Sequence, residues 1–178
     1  MTPLASFLQR RRALSSFILY VPGHKSLAAF FTELSKQELT NNYALHDLRC
    51  FDKWMAERLA IQDILRRNRA LAKRAARFVT GTRVKYIPEA FQEVSNSLNL
   101  VDELQATAFV EEAQAKDLIA RCVLRLAEFT EFMRLAFVVR DGIESSAIDD
   151  EKMQLGYLPD LCLRRIRHFL HLSDAPDS

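Results

Sequence analysis

The sequence predicts an all-α protein, a helical bundle built on a long antiparallel helical hairpin with shorter flanking helices. Apolar residues recur with the helical period, and glycine and proline stand at the ends of the periodic stretches. Four glycines and five prolines in 178 residues are also too few for the many turns of a β-sandwich. With 49% apolar and 27% charged residues the chain can form a packed core, which excludes a mainly disordered protein.

The first arm of the predicted hairpin extends from about residue 43 to residue 79. Nine positions from Phe51 to Val79 are spaced alternately three and four residues apart, and seven of them are apolar. This period of 3.5 residues is typical of a helix packed on another as in a coiled coil. The two exceptions, Arg58 and Asn68, either fix the register of the packing or lie at its edge.

The second arm is predicted from about residue 99 to residue 140, after a chain reversal near residues 81–88. Its seam contains ten apolar positions and Glu112: Val101, Leu104, Ala108, Ala115, Ile119, Cys122, Leu126, Phe129, Met133 and Ala136. Shorter helices are predicted at residues 3–20, 27–39, 88–98, 146–155 and 159–172. The chain then divides into a basic N-terminal extension (1–25), a helical domain (26–172) and a flexible tail (173–178).

Apolar residues surround the end of the second arm almost completely. Such a helix end must be buried, either by the C-terminal helices or by a partner. Trp54, the only tryptophan, lies on the seam of the first arm and is expected in the core or at an interface. The predicted apolar interface consists of Trp54, Phe129, Phe132, Met133 and Phe137.

Charge is strongly segregated although the net charge is only +2. Eight bases and no acid lie between Ile64 and Pro88, namely Arg66, Arg67, Arg69, Lys73, Arg74, Arg77, Arg83 and Lys85. Two interpretations remain open. The acidic stretch that follows folds back, so that Glu93, Asp102 and Glu103 neutralise the bases. Otherwise the bases bind an external partner, which is RNA or DNA, an anionic lipid surface, or an acidic protein.

No catalytic signature is present: the sequence lacks a Walker loop and the motifs GxGxxG, GxSxG and HExxH. Cys50, Cys122 and Cys162 form no CxxC pair, so they are expected to be reduced and buried. His168 and His171 share a face of the last predicted helix, as His46 and Cys50 would on the first arm. A zinc site built from them is a minor alternative to surface histidines.

We therefore predict a non-catalytic structural or adaptor subunit of a larger assembly, without cofactor, metal or transmembrane segment, whose partners are other protein subunits. The alternative is an RNA-binding protein that uses the basic helix 66–85. The N-terminal residues are rich in arginine and serine and contain no acid before Glu33, which is typical of a mitochondrial transit peptide. This composition favours a mitochondrial complex (respiratory chain, ATP synthase or ribosome). Arg11 interrupts the apolar face, and the cytoplasm is the alternative location.

A fusion of residues 1–25 to a fluorescent protein tests the predicted address. We expect import into mitochondria, because the cationic segment is drawn by the negative matrix potential. Replacement of Arg10, Arg11 and Arg12 by glutamine should abolish import, whereas replacement of Ser15 and Ser16 by alanine should not. Diffuse fluorescence of the unmodified fusion would contradict the prediction.

Overall fold

The structure, a computed structural model, describes residues 16–19, 42–50, 56–84, 86–139 and 158–174. Their elements in chain order are β1 (Ser16–Leu19), β2 (Asp47–Cys50), α1 (Ala56–Val79), α2 (Ile87–Val94), α3 (Leu98–Ala108), α4 (Glu112–Ala127), α5 (Phe129–Leu135), α6 (Asp160–Phe169) and a short 3-10 turn (Leu172–Asp174). The predominance of helix confirms the all-α prediction. The helices predicted at 27–39 and 146–155 lie outside the described residues.

The chain reverses after α1, where the glycine and proline pattern predicts it. Gly81 adopts a φ of 110°, which favours glycine, and Pro88 lies in the first turn of α2. The ring centroids of Phe78 at the end of α1 and Phe91 in α2 are 5.0 Å apart. The start of α3 returns to the level of the middle of α1, since Asn68 and Asn99 both hydrogen-bond the segment 42–45. The chain from α2 to the start of α3 therefore runs antiparallel to α1.

The second arm is divided into α3, α4 and α5, so the prediction of one continuous helix from 99 to 140 is wrong. Phe109 takes a left-handed φ of 55° and ends α3, and the Glu111 amide donates to Gln114 Oε1 at the start of α4. Glu128 is extended and separates α4 from α5. These breaks let the arm bend around the core, which a single straight helix of that length could not do.

Both predicted seams nevertheless form the core. From residue 61 onward every seam position of the first arm is buried, namely Ile61, Leu65, Asn68, Ala72, Ala75 and Val79. In the second arm the seam is buried at Val101, Leu104, Ala115, Ile119, Cys122, Leu126, Phe129 and Ala136. Glu112, the polar exception, is exposed. The periodicity therefore identified the buried face correctly even where the helix is interrupted.

Helix was predicted for residues 16–19 and 43–50, and the structure corrects both. Ser16–Leu19 pairs in parallel with Asp47–Cys50, with Ser16 opposite Asp47. The aromatic and β-branched residues of β1 suit a strand. Asn42 Oδ1 accepts the amides of Ala44 and Leu45 at 3.0 Å each, which forms an Asx turn in place of a helical turn.

The segment 42–45 is held by two buried asparagines. Asn68 Nδ2 donates to the carbonyls of Asn42 at 2.8 Å and Leu45 at 2.6 Å, and Asn99 Nδ2 donates to the carbonyl of Ala44. Because these carbonyls are satisfied by side chains, the segment needs no helical hydrogen bonds. Asn68, one of the two exceptions in the predicted seam, thus fixes the packing of the chain that precedes α1.

The C-terminal part packs on the hairpin. Leu172 is buried and its amide donates to Gln92 Oε1 at 3.0 Å. Arg167 donates from Nε to the Leu126 carbonyl at 2.7 Å, and its guanidinium lies 3.9 Å from the ring centroid of Phe132. Residues 173 and 174 of the predicted tail belong to the 3-10 turn, and residues 175–178 lie outside the described part.

Replacement of Asn68 by leucine, whose side chain branches in the same way, should lower the free energy of unfolding by about 2–4 kcal/mol. The buried Leu45 carbonyl loses its donor, the Asn42 carbonyl keeps only the Arg67 guanidinium, and Arg67 loses its acceptor on Asn68. Chemical denaturation measures this change. The exposed Asn96 provides the matched control, and Asn96→Leu should change stability by less than about 0.5 kcal/mol. Equal stability of the two variants would show that the Asn68 bonds contribute nothing.

Candidate binding surfaces

The basic face of α1 is defined here as Arg66, Arg69, Lys73, Arg74 and Arg77, which are all exposed. They lie opposite the buried Ala72, Ala75 and Ala76, as the helical period predicts. Arg66 pairs with Asp63 at 3.0 Å on its own helix, and Arg69 lies 3.9 Å from Asp47 in β2.

Lys73, Arg74 and Arg77 have no ion pair among the described residues. Within the same residues, no ion pair joins the basic face to Glu93, Asp102 or Glu103, so the predicted neutralisation across the hairpin is not observed. The physical reason is that α2 and α3 pack against the apolar side of α1. Glu93 instead lies 3.8 Å from His171 Nε2.

Two further predicted bases are placed away from this face. Arg67 is half-buried; it donates to Asn68 Oδ1 and to the Asn42 carbonyl, and lies 5.0 Å from the ring centroid of Tyr43. Burial and the nearby Glu93 raise the pKa of Tyr43, whereas Arg67 lowers it. Arg83 turns back on the end of α1 and donates to the Phe78 carbonyl at 2.7 Å. Lys85 lies outside the described residues.

The predicted apolar interface is only partly exposed. Phe129 and Phe132 are buried in the core of the chain itself, and Met133 packs against that core. Part of the covering comes from Arg167 on α6, so these rings need no partner to leave water. Phe137 remains 49% exposed, and its neighbour Val138 52%. Trp54 lies outside the described residues.

A pocket of about 530 Å³ opens where the turn after α1 meets the end of α5, and we call it the apex pocket. Its lining consists of Arg83, Pro88, Arg125, Glu131, Arg134, Leu135, Phe137 and Val139. Glu131 accepts from Arg125 on one carboxylate oxygen and from Arg134, at 3.3 Å, on the other. Sequence reasoning missed this cluster, because Arg83, Arg125 and Arg134 belong to separate elements and no spacing rule connects them.

A larger cleft of about 940 Å³ lies between the end of α2, α4 and α6. Its lining combines apolar residues, such as Leu124 and Phe169, with Arg164 and Arg167. Arg167 is already engaged by the carbonyls of Leu126 and Leu170, and burial lowers its pKa. Arg167 therefore holds α6 in place, and its hydrogen bonds to these carbonyls leave it less available to a ligand in the cleft.

The histidines and cysteines are dispersed in the described residues. His168 lies in α6, but His171 lies beyond its end, so the predicted common helical face does not exist. His46 and Cys50 belong to a loop and a strand, which separates that pair as well. No group of three or more potential metal ligands occurs in the part of the chain that the structure describes. Across that same part, every helix is too short or too polar to cross a bilayer.

Comparisons of the chain with family models, with curated proteins and with solved structures found no match.

The two described thiols differ in environment, and this difference is testable. Cys122 is buried, whereas Cys162 is exposed, which corrects the prediction that all cysteines are buried. Burial raises the pKa of Cys122, although Arg83, Arg125 and Arg121 lower it in part. In a Cys50→Ser background we expect iodoacetamide to modify Cys162 first at pH 8, because burial restricts access to Cys122 and raises its pKa.

Mass spectrometry of time points measures this order of modification. Raising the pH from 8 to 9.5 should accelerate the reaction of Cys122, because the raised pKa keeps its thiol protonated at the lower pH. In denaturant the two rates should become similar. Equal rates in the native protein would contradict the burial of Cys122.

Proposed function

We propose that the protein is a non-catalytic helical subunit of a larger assembly, and that it binds an acidic partner subunit through the basic face of α1. The observation that carries this proposal is the exposure of Lys73, Arg74 and Arg77 without an ion pair in the described residues. A cluster of like charges destabilises the free protein slightly, and an oppositely charged surface relieves that repulsion.

The rigidity of the supporting helix favours this role. The apolar side of α1 is anchored by Ala72, Ala75 and Ala76 and by Phe78, which packs on Phe91, and all of these are buried. Lys73, Arg74 and Arg77 therefore project from a helix whose position is set by the core. A preorganised surface loses less conformational entropy on binding than a flexible one. A mitochondrial complex remains the prediction for the assembly, on the composition of residues 1–25.

The experiment is purification of the tagged full chain at its endogenous level, in wild-type form and with Lys73→Glu, Arg74→Glu and Arg77→Glu. We expect the partner to be lost from the triple variant, because its charge then repels an acidic surface. The control carries Lys116→Glu, Arg121→Glu and Arg165→Glu, which are exposed residues elsewhere. It has the same net charge, and it should retain the partner. Equal recovery with both variants would contradict the proposal.

RNA binding through residues 66–85 is the second candidate, and the exposure of Lys73, Arg74 and Arg77 favours it as well. If the phosphates of a single-stranded RNA contact these three basic side chains, the logarithm of the binding constant should fall with the logarithm of the salt concentration with a slope of about −2. Nuclease treatment before elution separates the candidates. Retention of the partner after nuclease favours the acidic protein, and its release favours RNA.

A further inference from the structure

The apex pocket concentrates positive charge in a concave site. Three guanidinium groups and one carboxylate line it, which leaves two positive charges in excess. Its volume of about 530 Å³ lies in the range of small-molecule sites. The basic face of α1 is convex and exposed, so the pocket is a different kind of surface with a different kind of ligand.

Each of the three guanidinium groups is held in place by a contact within the protein. Glu131, whose side chain is only 14% exposed, joins Arg125 to Arg134. Arg83 is fixed by the Phe78 carbonyl and lies 4.5 Å from the Phe78 ring centroid. These ion pairs and the Phe78 bond use one terminal nitrogen of each guanidinium, whereas a guanidinium carries five N–H donors. Donors therefore remain on all three side chains for a ligand.

The remaining wall of the pocket is apolar and includes a strained aromatic residue. Pro88, Leu135, Phe137 and Val139 form this wall. Phe137 has a φ of 59°, a left-handed conformation that is unfavourable for a side chain of its size. This conformation closes α5, since the amides of Phe137 and Val138 donate to the carbonyls of Arg134 and Met133 at 3.1 and 3.0 Å, and the half-exposed ring is left lining the pocket.

We propose that the apex pocket binds a phosphate monoester that is attached to an aromatic or apolar body. A phosphate dianion matches the two excess positive charges, and guanidinium groups bind phosphate oxygens through paired hydrogen bonds. The aromatic or apolar body then lies against Phe137, Leu135 and Val139. This ligand is independent of the proposed acidic partner, because Lys73, Arg74 and Arg77 do not line the pocket.

Calorimetric titration of the full chain with phenyl phosphate tests the proposal. We expect binding that is at least tenfold tighter than that of inorganic phosphate, which lacks the aromatic body, and of phenyl sulfate, which carries one charge less. Absence of measurable binding at millimolar phenyl phosphate, or equal affinity for the three probes, would overturn it.

Two variants locate the site. Arg125→Gln/Arg134→Gln should weaken phenyl phosphate binding at least tenfold, whereas Arg121→Gln/Arg165→Gln, with the same loss of charge outside the pocket, should not. Because the first variant leaves Glu131 without its partners, Phe137→Gly provides a second test. Glycine relieves the left-handed strain, so the thermal midpoint should stay the same or rise while the affinity falls. Unchanged affinity in both pocket variants would place the binding elsewhere.

Vesicles separate the two sources of the ligand. Phosphatidic acid carries the same phosphate monoester on a lipid, and sedimentation measures binding to vesicles that contain it. Binding of phenyl phosphate without binding to the vesicles supports a soluble ligand. Binding to the vesicles without any binding of phenyl phosphate would overturn the proposal. The protein would then recognise the membrane surface and not the phosphate monoester itself.

Discussion

The division of α1 into an alanine-rich side and a basic side is the constraint on which the other features depend. Ala72, Ala75 and Ala76 are small, so α2 and α3 approach α1 closely and bury this side together with Phe78. Once that side is covered, the bases on the opposite arc necessarily face away from the second arm. The acidic residues of the second arm cannot reach them, and the charge that the sequence segregates stays segregated in space. Hydrophobic burial outweighs the pairing of exposed charges here, since such pairs contribute only about 0–1 kcal/mol each.

Buried polar groups determine how the chain enters the hairpin. Asn68 and Asn99, from α1 and α3, donate to carbonyls of the segment 42–45, and Asn42 accepts two amides within it. A buried carbonyl without a donor costs about 1–3 kcal/mol, so these bonds select this path of the chain over a helical one. The same bonds explain why a polar residue occupies the middle of an apolar seam. The sequence left open whether Asn68 fixes the register of the packing or lies at the edge of the seam. Its hydrogen bonds show that it fixes the packing.

The candidate sites differ in how they arise. The basic face of α1 comes from one helix, so its periodicity predicts it, and five of the eight predicted bases lie on it. The apex pocket needs the turn after α1, the end of α4 and α5 together, with Glu128 extended between the last two. Of the predicted apolar interface, Phe129 and Phe132 are buried inside the chain, and Arg167 of α6 covers the ring of Phe132.

Helical class, the chain reversal near Gly81 and the buried seams follow from the sequence alone, because they depend on local periodicity and on residues that end helices. Tertiary structure decided the breaks at Phe109 and Glu128, the strand at Asp47–Cys50 and the convergence of Arg83 with Arg125 and Arg134. Neither break has a glycine or proline to mark it. They form because the interrupted arm covers the core. The free energy gained by this burial depends on contacts between residues far apart in the chain.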